Sequence, residues 1–251
     1  KTAALVATGL KDVTDIHGVY KNDDGSLSAV FNENLAVTAA LGPVFPKIIE
    51  LGGVDGLHFM AGVARDAGVT TVAEMLYGGI DFDVEWRDTL AATNDPEFPV
   101  RIQLVPDAAT MGQKFGDKSL EMYAGFLERN TDKAYVRNIK FFTDGSLPLM
   151  SSKVNFPGYL DGSNGATNAI PWDKLTESMA PYWEAGIQIH IHANGDMALD
   201  QALDSLEELQ AAKPRFDHRY TIEHFSISNP MQARRIKALG AQVSARWSGL
   251  F

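Results

Sequence analysis

The chain contains no cysteine. Disulfides and thiolate metal sites are thereby excluded, so any metal must be held by His, Asp, Glu or a modified Lys. No apolar run approaches the ~18 residues that a membrane span needs. Positive charge is scarce: 22 Lys and Arg against 32 Asp and Glu leave a formal net charge of −10. No basic patch stands out, so nucleic acid and anionic membrane surfaces are excluded as expected partners. No Gly-x-Gly-x-x-Gly follows the first strong strand pattern, which removes support for a dinucleotide site. The first residue is Lys1, with no signal peptide, and the last is Phe251, just after a strand pattern. Both ends read as cut, so missing targeting signals carry little weight, and the cytoplasm is the default compartment.

What is present is ordinary for a folded domain. Of 251 residues, 45% are hydrophobic and 22% charged, enough for one large core or two small ones. The most informative stretch is Gly186-Ile187-Gln188-Ile189-His190-Ile191-His192-Ala193-Asn194-Gly195-Asp196. Isoleucines alternate with Gln188, His190 and His192, a period of two that predicts a strand with one β-branched face and one face carrying two imidazoles. Met197 to Ala212 then reads as a helix. A lone strand histidine is usually a core residue. Two on one face ahead of a Gly-Asp turn point instead to a metal or substrate, since unpartnered imidazoles are costly to bury.

Similar units flank this one. Strands are expected at 68–75, 99–105, 135–142, 187–192, 219–224 and 241–246. Helices are expected at 45–67, interrupted at Gly52-Gly53, and at 81–93, 117–129, 172–185, 197–212 and 230–239. Residues 27–31 read as a short strand and 35–41 as a helical turn. Strands alternating with helices imply βαβ units and a parallel sheet. An α/β TIM barrel, incomplete in this chain, fits best. The 144–171 loop exceeds the usual connection length and reads as either an active-site lid or a disordered excursion.

Several residues could carry chemistry. Lys140, Phe142 and Asp144 share one strand face. Lys140 is either a lysine reaching from a strand end to water or an amine inside a barrel with a lowered pKa. The second case allows a metal-binding carbamate or a Schiff base. His224 ends a strand at Glu223-His224, where Glu223 should point the other way and has no evident partner. Asp196 is an N-cap or an anchor for a ligand histidine, and Asp144 is similarly ambiguous. His58 reads as packing, His17 as loop and His218 as solvated. Trp172, Trp183 and Trp247 read as core. Lys140, His192 and His224 come from three successive strand ends, and a nitrogen and oxygen donor set suits zinc or another divalent metal.

The segments Ile139-Lys140-Phe141-Phe142-Thr143-Asp144-Gly145-Ser146, Ile189 to Asp196, Ile222-Glu223-His224 and Gly68-Val69-Thr70-Thr71-Val72 resemble the amidohydrolase superfamily. Amidohydrolase family 3, with its N-substituted formamide deformylase-like proteins, is the nearest branch. The head, Asp23-Asp24-Gly25-Ser26 followed by Phe31-Asn32-Glu33, is similar to that family's insertion after its first strand. The resemblance implies a metal-dependent hydrolase barrel of one domain over 1–251. Residues 1–45 would be the irregular insertion and 68–251 the βα units two to seven. It also implies that Lys140 is a carbamylated ligand and that His192 and His224 are metal ligands and catalytic. His190, Asp144 and Asp196 would be neighbours of that shell. The family's first-strand His-x-His and eighth-strand aspartate have no counterpart here.

These readings lead to an expected metal-dependent hydrolase that cleaves a non-peptide C–N bond, amide or cyclic amide, with metal-activated water. One or two divalent ions, zinc first, are expected, with a small-molecule substrate and a possible homo-oligomer. The 251-residue piece alone is expected to be inactive. The rival readings are a Schiff-base lyase or aldolase using Lys140, and a non-catalytic barrel remnant.

Overall fold

A computed structural model describes residue 16 and residues 19–31, 33–42, 44–165 and 170–245. His17, Arg246 and Trp247 lie outside the described residues. The chain divides into two compact units, Lys1–Gly56 and Leu57–Phe251. In the first, strands β1 (Val19–Lys21) and β2 (Leu27–Phe31) pair antiparallel, and helix α1 spans Glu33–Leu41. Gly25 at φ 81° and the Asp24 carboxylate, which accepts from Ser26 N at 2.9 Å, close the turn between the strands. Helix α2 (Phe45–Asp66) breaks its helical dihedrals at Gly53, as the glycine pair predicts.

The second unit is a parallel α/β assembly. Its strands are β3 (Thr71–Tyr77), β4 (Arg101–Pro106), β5 (Ala134–Val136), β6 (Asn138–Phe142), β7 (Gln188–Ala193), β8 (Thr221–His224) and β9 (Gln242–Ala245). β3, β4 and β5 form one parallel sheet, and β6 to β9 another. β5 and β6 are one expected strand, interrupted at Arg137. A parallel backbone bridge between Asp107 and Lys140 carries the pairing of β4 past that interruption. The strands therefore follow one another in sequence order. Among the described residues no pairing joins β3 to β9, so the sheet is not seen to close.

The helices are α3 (Phe82–Thr93), α4 (Ala108–Phe115), α5 (Ser119–Glu128), α6 (Trp172–Glu184), α7 (Asp196–Ala212) and α8 (Pro230–Leu239). Helix α4 and the strand β1 were not expected from the sequence. Ile139, Phe141, Ile189, Ile191 and Ile222 are at most 1% exposed, as are Leu199, Ala202, Leu203 and Leu206 of α7. These are the alternate residues to Lys140, His190 and His192, so the apolar face of the strands is buried and the polar face is left for chemistry. Burying each such aliphatic side chain contributes roughly 1.5–3 kcal/mol.

The ends of the helices follow local rules. Asp81 caps α3 by accepting from Asp83 N and Val84 N, and Asn229 with Gln232 forms a capping box on α8. Gly240, left-handed at φ 70°, ends α8 as expected. Arg215 closes the end of α6, donating to the carbonyls of Trp183, Gly186 and Ile187 at 3.1, 2.7 and 3.0 Å while stacking 4.6 Å from the Trp183 ring. No helix among the described residues is long and apolar enough to cross a membrane.

Candidate functional site

The β6–β7 register places Lys140 opposite His190 and Phe142 opposite His192. The β7–β8 register places His192 opposite Glu223. Strand alternation would then turn His224 away from His192, yet the two rings stand with centroids 4.5 Å apart, edge to face. The backbone explains this. His224 and Phe225 have φ of 73° and 49°, a left-handed pair in non-glycine residues. Alternation ends there, and both Glu223 and His224 reach the polar face. Non-glycine residues pay strain for that conformation, and such strain collects at functional sites.

Lys140 is 2% exposed. Among the described residues its ammonium makes no hydrogen bond and no ion pair within 4 Å. Its ammonium lies 5.1 Å from the centroid of the Phe142 ring, which in turn lies 5.1 Å from the His192 ring. Burial pulls the Lys140 pKa down to about 8, against the opposing charges of Glu223 and Asp107. The reading of Lys140 as a lysine reaching out to water is thereby corrected: the amine stays inside. Asp107, which the sequence did not single out, ends β4, and burial raises its pKa despite hydrogen bonds from Thr110. Its Oδ2 caps α4, accepting from Thr110 N at 2.9 Å.

His192 is 8% exposed and firmly oriented. Its Nε2 donates to Gly145 O at 3.0 Å, with Asn194 Nδ2 at 3.1 Å and Asp144 Oδ1 at 3.3 Å from the same nitrogen. Its backbone carbonyl accepts from both the amide and the hydroxyl of Thr143. The other ring nitrogen, Nδ1, makes no hydrogen bond among the described residues. His190 differs. Its Nδ1 donates to Glu223 Oε1 at 2.6 Å and its Nε2 accepts from the Asn138 amide. Both ring nitrogens are occupied, which fits a neighbour and not a ligand. Glu223, whose partner the sequence did not reveal, is thus paired with His190. Burial pushes its carboxyl up, but the hydrogen bonds of His190 and Ser244 and the Lys140 charge hold it below its ordinary range.

Asp144 is fully buried and works as a clamp. Oδ1 accepts from Asn194 N at 3.0 Å, and Oδ2 accepts from Gly195 N at 2.8 Å and from Lys153 N at 2.9 Å. Asp196 is neither the N-cap of α7, a place taken by Gly195, nor bonded to a histidine; its Oδ1 accepts from Asn155 N at 2.8 Å. Both carboxylates therefore fasten the long loop to the strand end that carries His192. Ser152 Oγ donates to Gly145 O at 2.9 Å, and Val154 N donates to Asn164 Oδ1 at 2.8 Å. Residues 144–165 of the long loop are thus tied to the strand end and to one another. Asn194 ties in a third element: its Oδ1 accepts from Ser226 Oγ at 2.6 Å and its carbonyl from Ile227 N at 2.9 Å.

His218 is 2% exposed, not solvated. Its Nε2 donates to Leu239 O at 2.9 Å, its Nδ1 accepts from Tyr220 N at 2.9 Å, and its ring packs 5.3 Å from Trp183. Burial lowers its pKa. His58 packs edge-on against Phe98 at 5.2 Å, in line with a packing role. Trp183 is core at 1% exposure, whereas Trp172 is half-buried and donates to Thr143 O at 2.7 Å. A cavity of about 700 Å³ opens on the Phe141 side of the sheet, between α4–α5 and α6. It shares no residue with the cluster.

Among the described residues no three His, Asp or Glu side chains form a metal-holding group. What the polar face offers is two adjacent imidazoles, with the His192 Nδ1 outside any hydrogen bond among the described residues, and a buried amine one strand away. This fits a divalent ion if Lys140 serves as the third donor.

Residues 52–247 match the family model described as amidohydrolase family. Protein LONG AFTER FAR-RED 3 of Arabidopsis thaliana is 28% identical over 216 residues, which are 82% of this chain and 36% of that protein. Crystal structures of uncharacterized metal-dependent hydrolases from Pyrococcus horikoshii OT3 and Pyrococcus furiosus superpose with TM-scores of 0.65 each, at 21% identity. They cover 96% and 98% of this chain, which spans 44% and 47% of theirs. The chain thus spans about a third of the curated relative and just under half of the two crystal structures.

Proposed function

This chain belongs to the amidohydrolase family, and from that premise we propose that it supplies the lysine and histidine ligands of a metal-dependent hydrolase that cleaves a non-peptide amide or cyclic amide bond. The strand order β3 to β9 would be the central arc of a (β/α)8 barrel. Lys140, as a carbamate, with His192 through Nδ1 and with His224, would hold one or two divalent ions, zinc first. The finer branch, with the N-substituted formamide deformylase-like proteins, rests on the sequence resemblance alone.

One observation carries the reading: Lys140 is 2% exposed and its ammonium makes no hydrogen bond or ion pair among the described residues. A buried charged amine without a partner is costly, and a neutral one is reactive towards CO₂. A bound divalent ion there supplies Lewis acidity towards a carbonyl and lowers the pKa of water. The residues of the chain do the rest. Gly145 O and Asn194 hold the His192 ring by Nε2 and leave Nδ1 outside any hydrogen bond among the described residues. The left-handed turn at His224 brings the second imidazole alongside. Asp144 secures the loop that borders both.

The test is hydrolysis of a panel of N-substituted formamides, acyl amides and cyclic amides by the intact protein after zinc loading in bicarbonate. The expected result is chelator-sensitive turnover lost in Lys140→Met and His192→Ala. Turnover that survives both substitutions, or a borohydride-trapped adduct on Lys140, would overturn the reading.

A further inference from the structure

One level along the strands from His192 and His224 lies a row of polar side chains that the proposed chemistry does not use. Asn138 on β6 donates its amide to His190 Nε2 on β7. His190 Nδ1 donates to Glu223 Oε1 on β8 at 2.6 Å. Ser244 on β9 stands opposite Glu223 in register, and its hydroxyl helps to hold the Glu223 carboxyl below its ordinary range. Four consecutive strands each contribute one member. Asn138 is two residues before Lys140, His190 two before His192, and Glu223 one before His224. Every strand that carries an expected ligand is thus held sideways by the residue beneath that ligand.

Stability alone does not account for the row. Asn138 is 3% exposed, and its Oδ1 is buried without a partner among the described residues. An unsatisfied buried acceptor costs about 1–3 kcal/mol. Apolar side chains of similar size would pack the same strands at least as well. What apolar packing does not supply is direction. A hydrogen bond fixes the lateral spacing and rotation of the groups it joins, and ligand geometry is set by such outer partners.

We propose that Asn138, His190, Glu223 and Ser244 are positioning residues whose hydrogen-bonded row sets the mutual spacing of Lys140, His192 and His224 for a divalent ion. This rests on the metal-site reading given above. His190, bonded on both sides, and Glu223 are the central members, and the acceptor oxygen of Glu223 matters more for the spacing than its charge.

Cobalt(II) is the probe. The purified chain is titrated with cobalt, and visible absorption reports affinity and coordination while thermal unfolding of the metal-free protein reports stability. Glu223→Ala and His190→Phe are expected to bind cobalt at least about tenfold more weakly, with an altered d–d spectrum. Glu223→Gln keeps an oxygen for His190 Nδ1–H and is expected to restore both affinity and spectrum. Ser244→Ala, at an exposed strand position that tolerates change, is expected to weaken binding about threefold, and it keeps the comparison alive if the larger changes fail to fold. Wild-type affinity and spectrum in Glu223→Ala, His190→Phe and Ser244→Ala would overturn the positioning row while leaving the metal site standing. A wild-type chain that binds no cobalt would overturn the metal-site reading and the row with it.

Discussion

Replacing Lys140 with methionine should make the metal-free protein more stable. The fold lowers the lysine pKa from 10.5 to about 8, and burial is the cause. At neutral pH the charged amine is therefore disfavoured in the native state by about 3 kcal/mol relative to the unfolded chain. Methionine carries no charge and fills nearly the same space, with imperfect packing returning about 1 kcal/mol. The net gain of about 2 kcal/mol corresponds to a Tm higher by roughly 4–8 °C in a domain of this size. The pH dependence is more diagnostic. Between pH 8 and 10.5 the unfolded lysine keeps its proton while the native one has lost it. Wild-type stability should then rise by up to about 1.4 kcal/mol per pH unit relative to the variant, closing the gap between them. Urea unfolding of both proteins from pH 6 to 10, in chelator and CO₂-free buffer, measures this. A less stable Lys140→Met at pH 7, or two curves that run parallel to pH 10, would refute the reasoning.

Gly195→Ala tests the Asp144 clamp. A Cβ there would come within 1.8 Å of Lys153 O, forcing the loop off the strand end and breaking the bonds of Asp144 to Gly195 N and Lys153 N. The expected loss is about 3 kcal/mol, a Tm lower by roughly 6–12 °C, with new proteolytic cuts in 144–165; an unchanged digest would contradict the clamp. Arg215→Lys should cost about 1–3 kcal/mol, because an ammonium cannot match a fork that reaches three carbonyls; equal urea midpoints would show that the cap contributes nothing. His218 is neutral in the fold and its pKa is lowered from 6.5. The stability it contributes is complete above about pH 6.5 and falls as acid protonates the unfolded histidine first. His218→Gln should flatten the wild-type decline between pH 7 and 5, and an unaltered slope would count against this role.

The order of strands was legible because apolar and polar residues alternate at Ile187 to His192 and the other strand patterns are separated by helical ones. The missed helix α4 carries Gly112 inside eight residues, too short and too weak in propensity to declare itself. Its one readable signal was Asp107 followed three residues later by Thr110. The pairing of Glu223 with His190 joins residues 33 positions apart, and no local pattern reports such a distance. His224 was singled out by its place at a strand end, although alternation from Glu223 points it the wrong way. The left-handed turn that corrects this uses histidine and phenylalanine, residues that carry no sequence mark for positive φ. Asp144 and Asp196 were singled out as anchors, but their partners include backbone amides of the long loop, which a sequence pattern does not specify. His218 looked solvated beside Asp217 and Arg219 because its shelter comes from Trp183 and Leu239, distant in the chain.

The central claim is that Lys140, His192 and His224 share an ion. Anomalous diffraction at the zinc edge, from crystals of the chain grown in zinc and bicarbonate, tests it most directly. The account predicts a peak about 2.0–2.1 Å from His192 Nδ1 or from a His224 nitrogen, and density for a carbamate on Lys140 reaching the same ion. Zinc found only on surface side chains, with Lys140 unmodified and both imidazoles unligated, would contradict it.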